Sequence, residues 1–189
     1  FSDSDLTSGS VNNIVNDSLH KADDGELFLE YCESESFVFD DQKLKSASFD
    51  VSKGFGLRAI AGEATGYAHS SDIDTKSLKK ASDTVSFITK NNNGSFNSNF
   101  TRTNKKLYTD LNPVNSVNFE NKIKTLEEID KYARARNPLV KQVSSSLSGE
   151  WQVVRIYRPD GVCVEDIRPL VRLGISVVLE KNGRQETGR

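Results

Sequence analysis

The sequence predicts an α+β fold in which blocks of antiparallel strands pack with about three helices. Three stretches carry apolar residues at the i, i+3, i+4 spacing of a helix, whereas the other apolar runs are rich in aromatic and β-branched residues. The connections between those runs are too short for the crossovers that parallel strands need. A chain of 189 residues is expected to bury a sizeable core, so we predict a single domain over residues 1–189.

The N-terminal half is predicted to contain two of the helices and a block of strands. A helix is expected between Leu6 and Ala22, where Asp23-Asp24-Gly25 ends it. A second helix carries Leu78, Ala81, Val85 and Ile88, with Asp74 or Thr75 as the N-cap and Asn91-Asn92-Asn93-Gly94 closing it. Strands are predicted between them at 26–33, 36–39, 44–51, 54–62 and 65–69.

The C-terminal half is predicted to add a loop, one helix and a second block of strands. Residues 91–118 are rich in Asn, Ser, Thr and Lys, and we expect a polar, mobile loop there. A third helix around Ile123–Tyr132 ends at Asn137-Pro138. Strands are expected at 140–147, 150–158, 162–167 and 170–180. Turns are indicated at Pro159-Asp160-Gly161 and Asn182-Gly183.

Composition excludes several functional classes. A net charge of −2 gives no bulk attraction to nucleic acid, and no apolar run is long enough to span a membrane. Two cysteines without a zinc-binding spacing indicate a reducing, cytoplasmic setting. The sequence contains no Met, and we therefore expect a piece of a longer protein.

The residues alone predict no self-contained catalytic, cofactor or metal site. The two histidines, His20 and His69, have no ligand spacing around them, and a dyad of Cys32 or Cys163 with a histidine is an alternative that needs the fold. Gly54-Phe55-Gly56 lacks the third glycine and the following helix of a phosphate-binding loop, so close packing or a bulge is favoured.

Charged residues leave further alternatives open. The carboxylates of Glu30, Glu33 and Glu35, or of Asp40 and Asp41, could bind a metal or act as an acid and base, although charged strand faces explain them more simply. Arg58 and Arg172 lie among apolar residues within predicted strands. The charge of each arginine requires an acidic partner or a polar cleft, unless the side chain points outward from the sheet.

Two segments resemble the TldD/PmbA family, also called modulator of DNA gyrase proteins. The first is Gly54–Ala68, GFGLRAIAGEATGYA, and the second is Asp160–Glu186, which contains DIRPLVRL and EKNGRQE. The second segment resembles the TldD branch in particular, and Asp24–Glu30 fits the entry to the first strand of the family. The resemblance extends from about the first helix to Arg189.

This resemblance implies the N-terminal, non-catalytic domain of a zinc metallopeptidase. The metal-binding His-Glu-x-x-x-His helix and a cysteine ligand of such enzymes lie in a C-terminal domain, outside this chain. The family implies a heterodimer of TldD with TldE, a PmbA-like subunit, enclosing a chamber that admits unfolded or small peptides, which bind as an added strand. Arg58, Arg168 and Arg172 are candidates for a role facing the substrate or another domain.

Two alternatives accompany this interpretation. The domain could belong to a TldE-like scaffold subunit that shapes the chamber without cutting, which the downstream sequence would reveal. A regulator of DNA topoisomerase would require a basic surface, and the net charge of −2 disfavours it.

Overall fold

The computed structural model describes residues 6–90, 94 and 106–189. Its sheet has six antiparallel strands in the order β3-β2-β1-β4-β5-β6, so the α+β prediction is confirmed. The described helices are α1 Ser8–Leu19, α2 Thr75–Thr89, α3 Pro113–Ser116 and α4 Phe119–Arg136. The strands are β1 Asp24–Asp40, β2 Lys43–Ala61, β3 Ala64–Ser70, β4 Val140–Tyr157, β5 Cys163–Lys181 and β6 Arg184–Gly188.

The strands are longer than predicted. Four pairs of predicted strands are each one continuous strand, namely β1, β2, β4 and β5. The predicted breaks fall at polar or imino residues such as Ser34, Ser52 and Pro169, which lower local strand propensity. Main-chain pairing with neighbouring strands overrides that preference.

Tight turns connect the strands, and two of them lie where the sequence predicts. Asn182 and Gly183 have φ values of 52° and 79°, and Asp160 and Gly161 have φ values of 64° and 73°. The β1–β2 turn contains Asp41 and Gln42, with φ values of 47° and 66°. Two successive positive φ values match the right-handed twist of the strands that such turns join.

Side-chain caps define the helix starts. The Asp74 carboxylate accepts a hydrogen bond from Ser77 N at 2.7 Å, so the N-cap predicted for α2 is confirmed. Asn118 caps α4 in the same way, and α4 ends at Arg136 with Asn137 as the C-cap, which agrees with the predicted stop at Asn137-Pro138. Of the predicted closure at 91–94 only Gly94 is described, and half of the 91–118 loop lies outside the described residues, but α3 occupies part of the described end.

Two compact units are distinguished in the chain. The first consists of the described parts of Phe1–Cys32 and Ser52–Leu107 together with Gln152–Ile167. Its core joins α1 and α2 to one face of the strands, with Leu19, Leu27, Leu57 and Leu78 fully buried. In the described part of the chain, no helix has the length and apolar content that crossing a membrane requires.

The second unit consists of Glu33–Val51, Tyr108–Trp151 and Arg168–Arg189. Its core is smaller and forms where Leu126 of α4 packs on Phe37 and Phe39 of β1. Asp130 is also buried on α4 and accepts a hydrogen bond from Arg134 Nε at 2.9 Å. That hydrogen bond raises the pKa of Arg134, whose guanidinium also reaches Asp41 at the β1–β2 turn.

Candidate functional site

Arg58, a candidate for a role facing the substrate or another domain, is held by acidic neighbours in the first unit. Its Nε and Nη2 donate to the Glu26 carboxylate at 2.9 and 3.1 Å, and Asp24 lies 3.9 Å away. The hydrogen bond to Glu26 raises the pKa of Arg58. Asp24 also accepts from Arg158 at 2.5 Å. The carboxylates of Glu26 and Asp24 therefore neutralise the charge of Arg58 within the sheet, and they are the partners that this arginine was expected to require.

Arg172 is in a different situation. It is exposed on β5 of the second unit and forms no ion pair with any residue in the described ranges. Arg168, on the same strand, is also exposed but has an interaction partner. Of the three predicted arginines, Arg172 is thus the one whose guanidinium is available to a ligand.

Arg172 lines a cavity of about 500 Å³ in the second unit, which we call the β4–β5 cleft. Ser144, Ser146 and Gly174 contribute to it, and Arg189 lies at it as well. A Cβ atom on Gly174 would lie 2.9 Å from Ser146 Oγ, so a larger residue at this point would require the Ser146 side chain to move. The remaining lining residues are Val38, Ser145, Leu173, Ile175 and Ser176.

The predicted acidic clusters make structural contacts. The Glu33 carboxylate accepts from Asn112 and Asn115 at 2.7 and 2.9 Å, and thereby ties β1 to α3. The Asp40 carboxylate accepts from Ser144 and Gln142, which lowers the pKa of Asp40. These contacts favour the interpretation of charged strand faces.

Glu35 forms a buried ion pair with Lys122, whose Nζ lies 2.5 Å from Glu35 Oε1 and also donates to Val114 O at 2.6 Å. A groove of about 420 Å³ opens beside this pair, and the aromatic residues Phe37, Phe49 and Phe119 line it. Sequence reasoning missed the groove, because its residues come from β1, β2 and the α3–α4 segment.

The histidines and cysteines do not assemble into a metal centre in the part of the chain that is described. His20 Nδ1 lies 2.8 Å from Asp17 O, and the His69 ring stacks on Tyr67 at a centroid distance of 5.7 Å. No group of three or more His, Cys, Asp or Glu within residues 6–90, 94 and 106–189 is placed to hold a metal ion. The described residues therefore do not fit a zinc site.

Cys163 lies beside a buried tyrosine in the first unit. Tyr157 is buried, and its pKa is raised by burial and by the Cys163 thiol. Cys163 packs partly buried against the first core. This environment agrees with a packing role for the thiol.

The glycine run begins where two strands meet closely. A Cβ on Gly54 would lie 2.9 Å from Ser70 O, and one on Gly56 would lie 2.7 Å from the Tyr67 hydroxyl. Gly56 pairs with His69 across β2 and β3. Close packing, rather than phosphate binding, accounts for these glycines.

Exposed apolar side chains follow one another on β5 in the second unit. Leu170, Val171, Leu173 and Ile175 are all exposed. β6 pairs only with Val177–Lys181, so this stretch of β5 has no described strand on the β6 side. Clustered exposed apolar residues mark interaction surfaces in proteins.

Comparison with known proteins identifies two matching family models. Residues 25–88 match PmbA/TldA metallopeptidase domain 1, and residues 112–189 match the PmbA/TldA metallopeptidase central domain. Together the two matches cover well over half of the chain.

Curated relatives and solved structures agree with these matches. A metalloprotease TldD homolog of Haemophilus influenzae is 37% identical over 98% of this chain and 39% of its own length. One of Buchnera aphidicola from Acyrthosiphon pisum is 30% identical over 88% of this chain and 35% of its own length. The chain thus spans less than half the length of these relatives.

Two solved structures share the fold at low sequence identity. A modulator of DNA gyrase from Bacteroides thetaiotaomicron has a TM-score of 0.66 and 14% identity, covering 97% of this chain and 44% of the other. TldE from Thermococcus kodakarensis has a TM-score of 0.51 and 15% identity, covering 93% of this chain and 40% of the other.

Proposed function

Since the chain belongs to the PmbA/TldD metallopeptidase family, we propose that it supplies the N-terminal, non-catalytic part of a TldD-like zinc metallopeptidase. The match to the first and central family domains carries this proposal. The metal ligands then lie outside these residues, and the chain by itself is inactive. The cytoplasm is its compartment.

The role we propose for this part is to wall a substrate chamber and to contact a TldE-like partner. Unfolded or small peptides are the proposed substrates. The exposed apolar residues Leu170 and Val171 on β5 support a contact role because such side chains gain most from being covered. A net charge of −2 gives no support to nucleic acid as a further partner.

A TldE-like scaffold subunit is the competing role. The relatives of 37% and 30% identity are both TldD homologs, and this favours the TldD branch. The similarity to the Thermococcus TldE structure is a similarity of fold, which both branches can share.

The deciding experiment measures cleavage of an unfolded substrate by three samples: this chain, the full-length protein, and the full-length protein with its TldE-like partner. Each is assayed with and without a chelator. We expect chelator-sensitive cleavage from the full-length pair and none from residues 1–189. Cleavage by residues 1–189 would contradict the non-catalytic role, and absence of cleavage by the pair would favour the scaffold role.

A charge placed on the exposed β5 surface tests the contact role in the full-length pair. Val171→Glu should weaken association with the partner by about tenfold or more, since it buries a carboxylate in an apolar contact. Tyr132→Glu is the matched control, because Tyr132 is equally exposed but lies on α4. If both variants associate equally with the partner in analytical ultracentrifugation, β5 is not part of the interface.

A further inference from the structure

The charged side chain within the strands that line the β4–β5 cleft is cationic. Arg172 lies at the cleft and forms no ion pair within the described residues. The arginines of the first unit behave differently, because Arg58 and Arg158 are matched by carboxylates. The cleft is therefore a place where positive charge is left uncompensated by the chain itself.

Small residues next to Arg172 leave room for a ligand. Ser144, Ser146, Gly174 and Ser176 have little side-chain volume, and the cavity they help to form measures about 500 Å³. The Ser144 hydroxyl donates to Asp40, but those of Ser146 and Ser176 have no side-chain partner in the described ranges. Hydroxyls and guanidinium groups together are donors suited to an anionic group.

An apolar residue borders the same cavity. Val38 lines it, so a ligand with an anion beside a hydrocarbon group would match both parts of the surface. The C-terminus of a peptide that ends in an apolar residue has this combination. A planar carboxylate also fits the fork of an arginine guanidinium.

We propose that the β4–β5 cleft binds the C-terminal carboxylate of a peptide with an apolar last residue, and that Arg172 is its principal binding residue. The proposal rests on the proposed function in one respect, namely that peptides are the substrates. The cleft would hold a peptide by its end and so favour short chains with a free C-terminus.

Binding can be measured on residues 1–189 without the partner or the metal. The probes are acetyl-Ala-Ala-Leu with a free carboxylate and the same peptide as its C-terminal amide, titrated into ¹⁵N-labelled protein at low salt and followed by NMR. We expect shifts at Ser144–Ser146 and at Arg172–Ser176, with the amide binding at least about tenfold more weakly. Binding of the acid should also weaken as salt rises.

Arg172→Gln should weaken binding of the acid by about tenfold and leave the amide unchanged. Arg136→Gln is the control, because it removes the same charge from an exposed arginine that stacks on Tyr132 instead. Circular dichroism verifies that both variants are folded, and Arg172→Lys serves as a second variant that keeps the charge but loses the fork.

Three results would overturn the proposal. They are equal binding of acid and amide, an Arg172→Gln variant that binds like Arg136→Gln, and a response to inorganic phosphate stronger than to the acid. The last would identify a phosphate site instead. None of them depends on peptidase activity, so failure here and failure of the proposed function can be told apart.

Discussion

The ion pair of Lys122 with Glu35 shows most directly how one residue supports this fold. The two side chains are only 6% and 8% exposed, and Lys122 also donates to Val114 O and faces the Phe37 ring. Taking two charges out of water is costly, and their mutual contact offsets that cost only while both are present. If one partner is removed, the charge of the other remains buried without compensation.

Lys122→Met should therefore lower the free energy of unfolding by about 3–5 kcal/mol. Replacing both residues, as in Lys122→Met with Glu35→Met, should recover at least half of that loss, because no charge is then left buried. Lys124→Met is the control, since its 71% exposed side chain should change stability by less than about 0.5 kcal/mol. Urea unfolding provides the comparison, and a double variant no better than the single one would contradict this account.

Two glycines should respond differently to the same added methyl group. A Cβ on Gly25 would lie 2.5 Å from the backbone oxygen of Arg58, whereas one on Gly56 would meet the hydroxyl of Tyr67, a 61% exposed side chain. Backbone cannot move aside easily, but an exposed tyrosine can. We expect Gly25→Ala to cost roughly 2–3 kcal/mol and Gly56→Ala less than about 1 kcal/mol. Thermal unfolding would show this order, and a reversed order would count against it.

Single residues were predicted well where their effect is local. Asp74 at the start of α2 and Asn182-Gly183 between β5 and β6 act through their immediate neighbours, which the sequence displays. Arg58 could not be separated from Arg172 in the same way. Their difference depends on Glu26, which lies 32 positions from Arg58 in the chain and meets it only across the sheet.

At the scale of one element, the start of α2 depends on the ionisation of its cap. The backbone hydrogen bond from Ser77 lowers the pKa of Asp74. A carboxyl whose pKa is lower in the folded state contributes stability above its unfolded pKa of about 3.9, and loses it as the pH falls through the folded pKa.

Asp74→Asn should for this reason make the stability of the protein depend less on pH in the acid range. The amide oxygen can still accept from Ser77, but it does not titrate, so the melting temperature should fall less between pH 5 and pH 3 than in the wild type. All other carboxyls titrate alike in both proteins, so the difference between the two dependences of melting temperature on pH reports on Asp74 alone. Melting curves are recorded at several pH values for this purpose. Identical slopes of melting temperature against pH would show that the negative charge of Asp74 does not contribute to the cap.

The long strands are the elements that the sequence predicted least well. β5 runs from Cys163 to Lys181 through Pro169, a residue with no N–H to donate. Local propensity places a break there, but pairing along a neighbouring strand fixes the backbone on both sides of it. Helix α4, by contrast, was predicted because its apolar stripe and its stop at Asn137 both lie within the element.

For the whole molecule, the prediction of a single domain implies that the two compact units unfold cooperatively. The two compact units share continuous strands, since β1 passes from the first to the second at Cys32–Glu33 and β2 passes back at Val51–Ser52. Unfolding one unit would fray strands that contribute residues to the core of the other. We therefore propose that the chain unfolds as one unit.

Two probes that report on different parts of the chain can decide this. Trp151 is the single tryptophan and belongs to the second unit, whereas far-ultraviolet circular dichroism reports on the helices of both. A single cooperative domain requires coincident urea transitions by both signals. Gly25→Ala, in the first unit, should also shift the Trp151 transition by as much as it shifts the dichroism. A Trp151 transition that stays in place while the dichroism moves would mean that the units unfold independently, and that residues 1–189 form two domains.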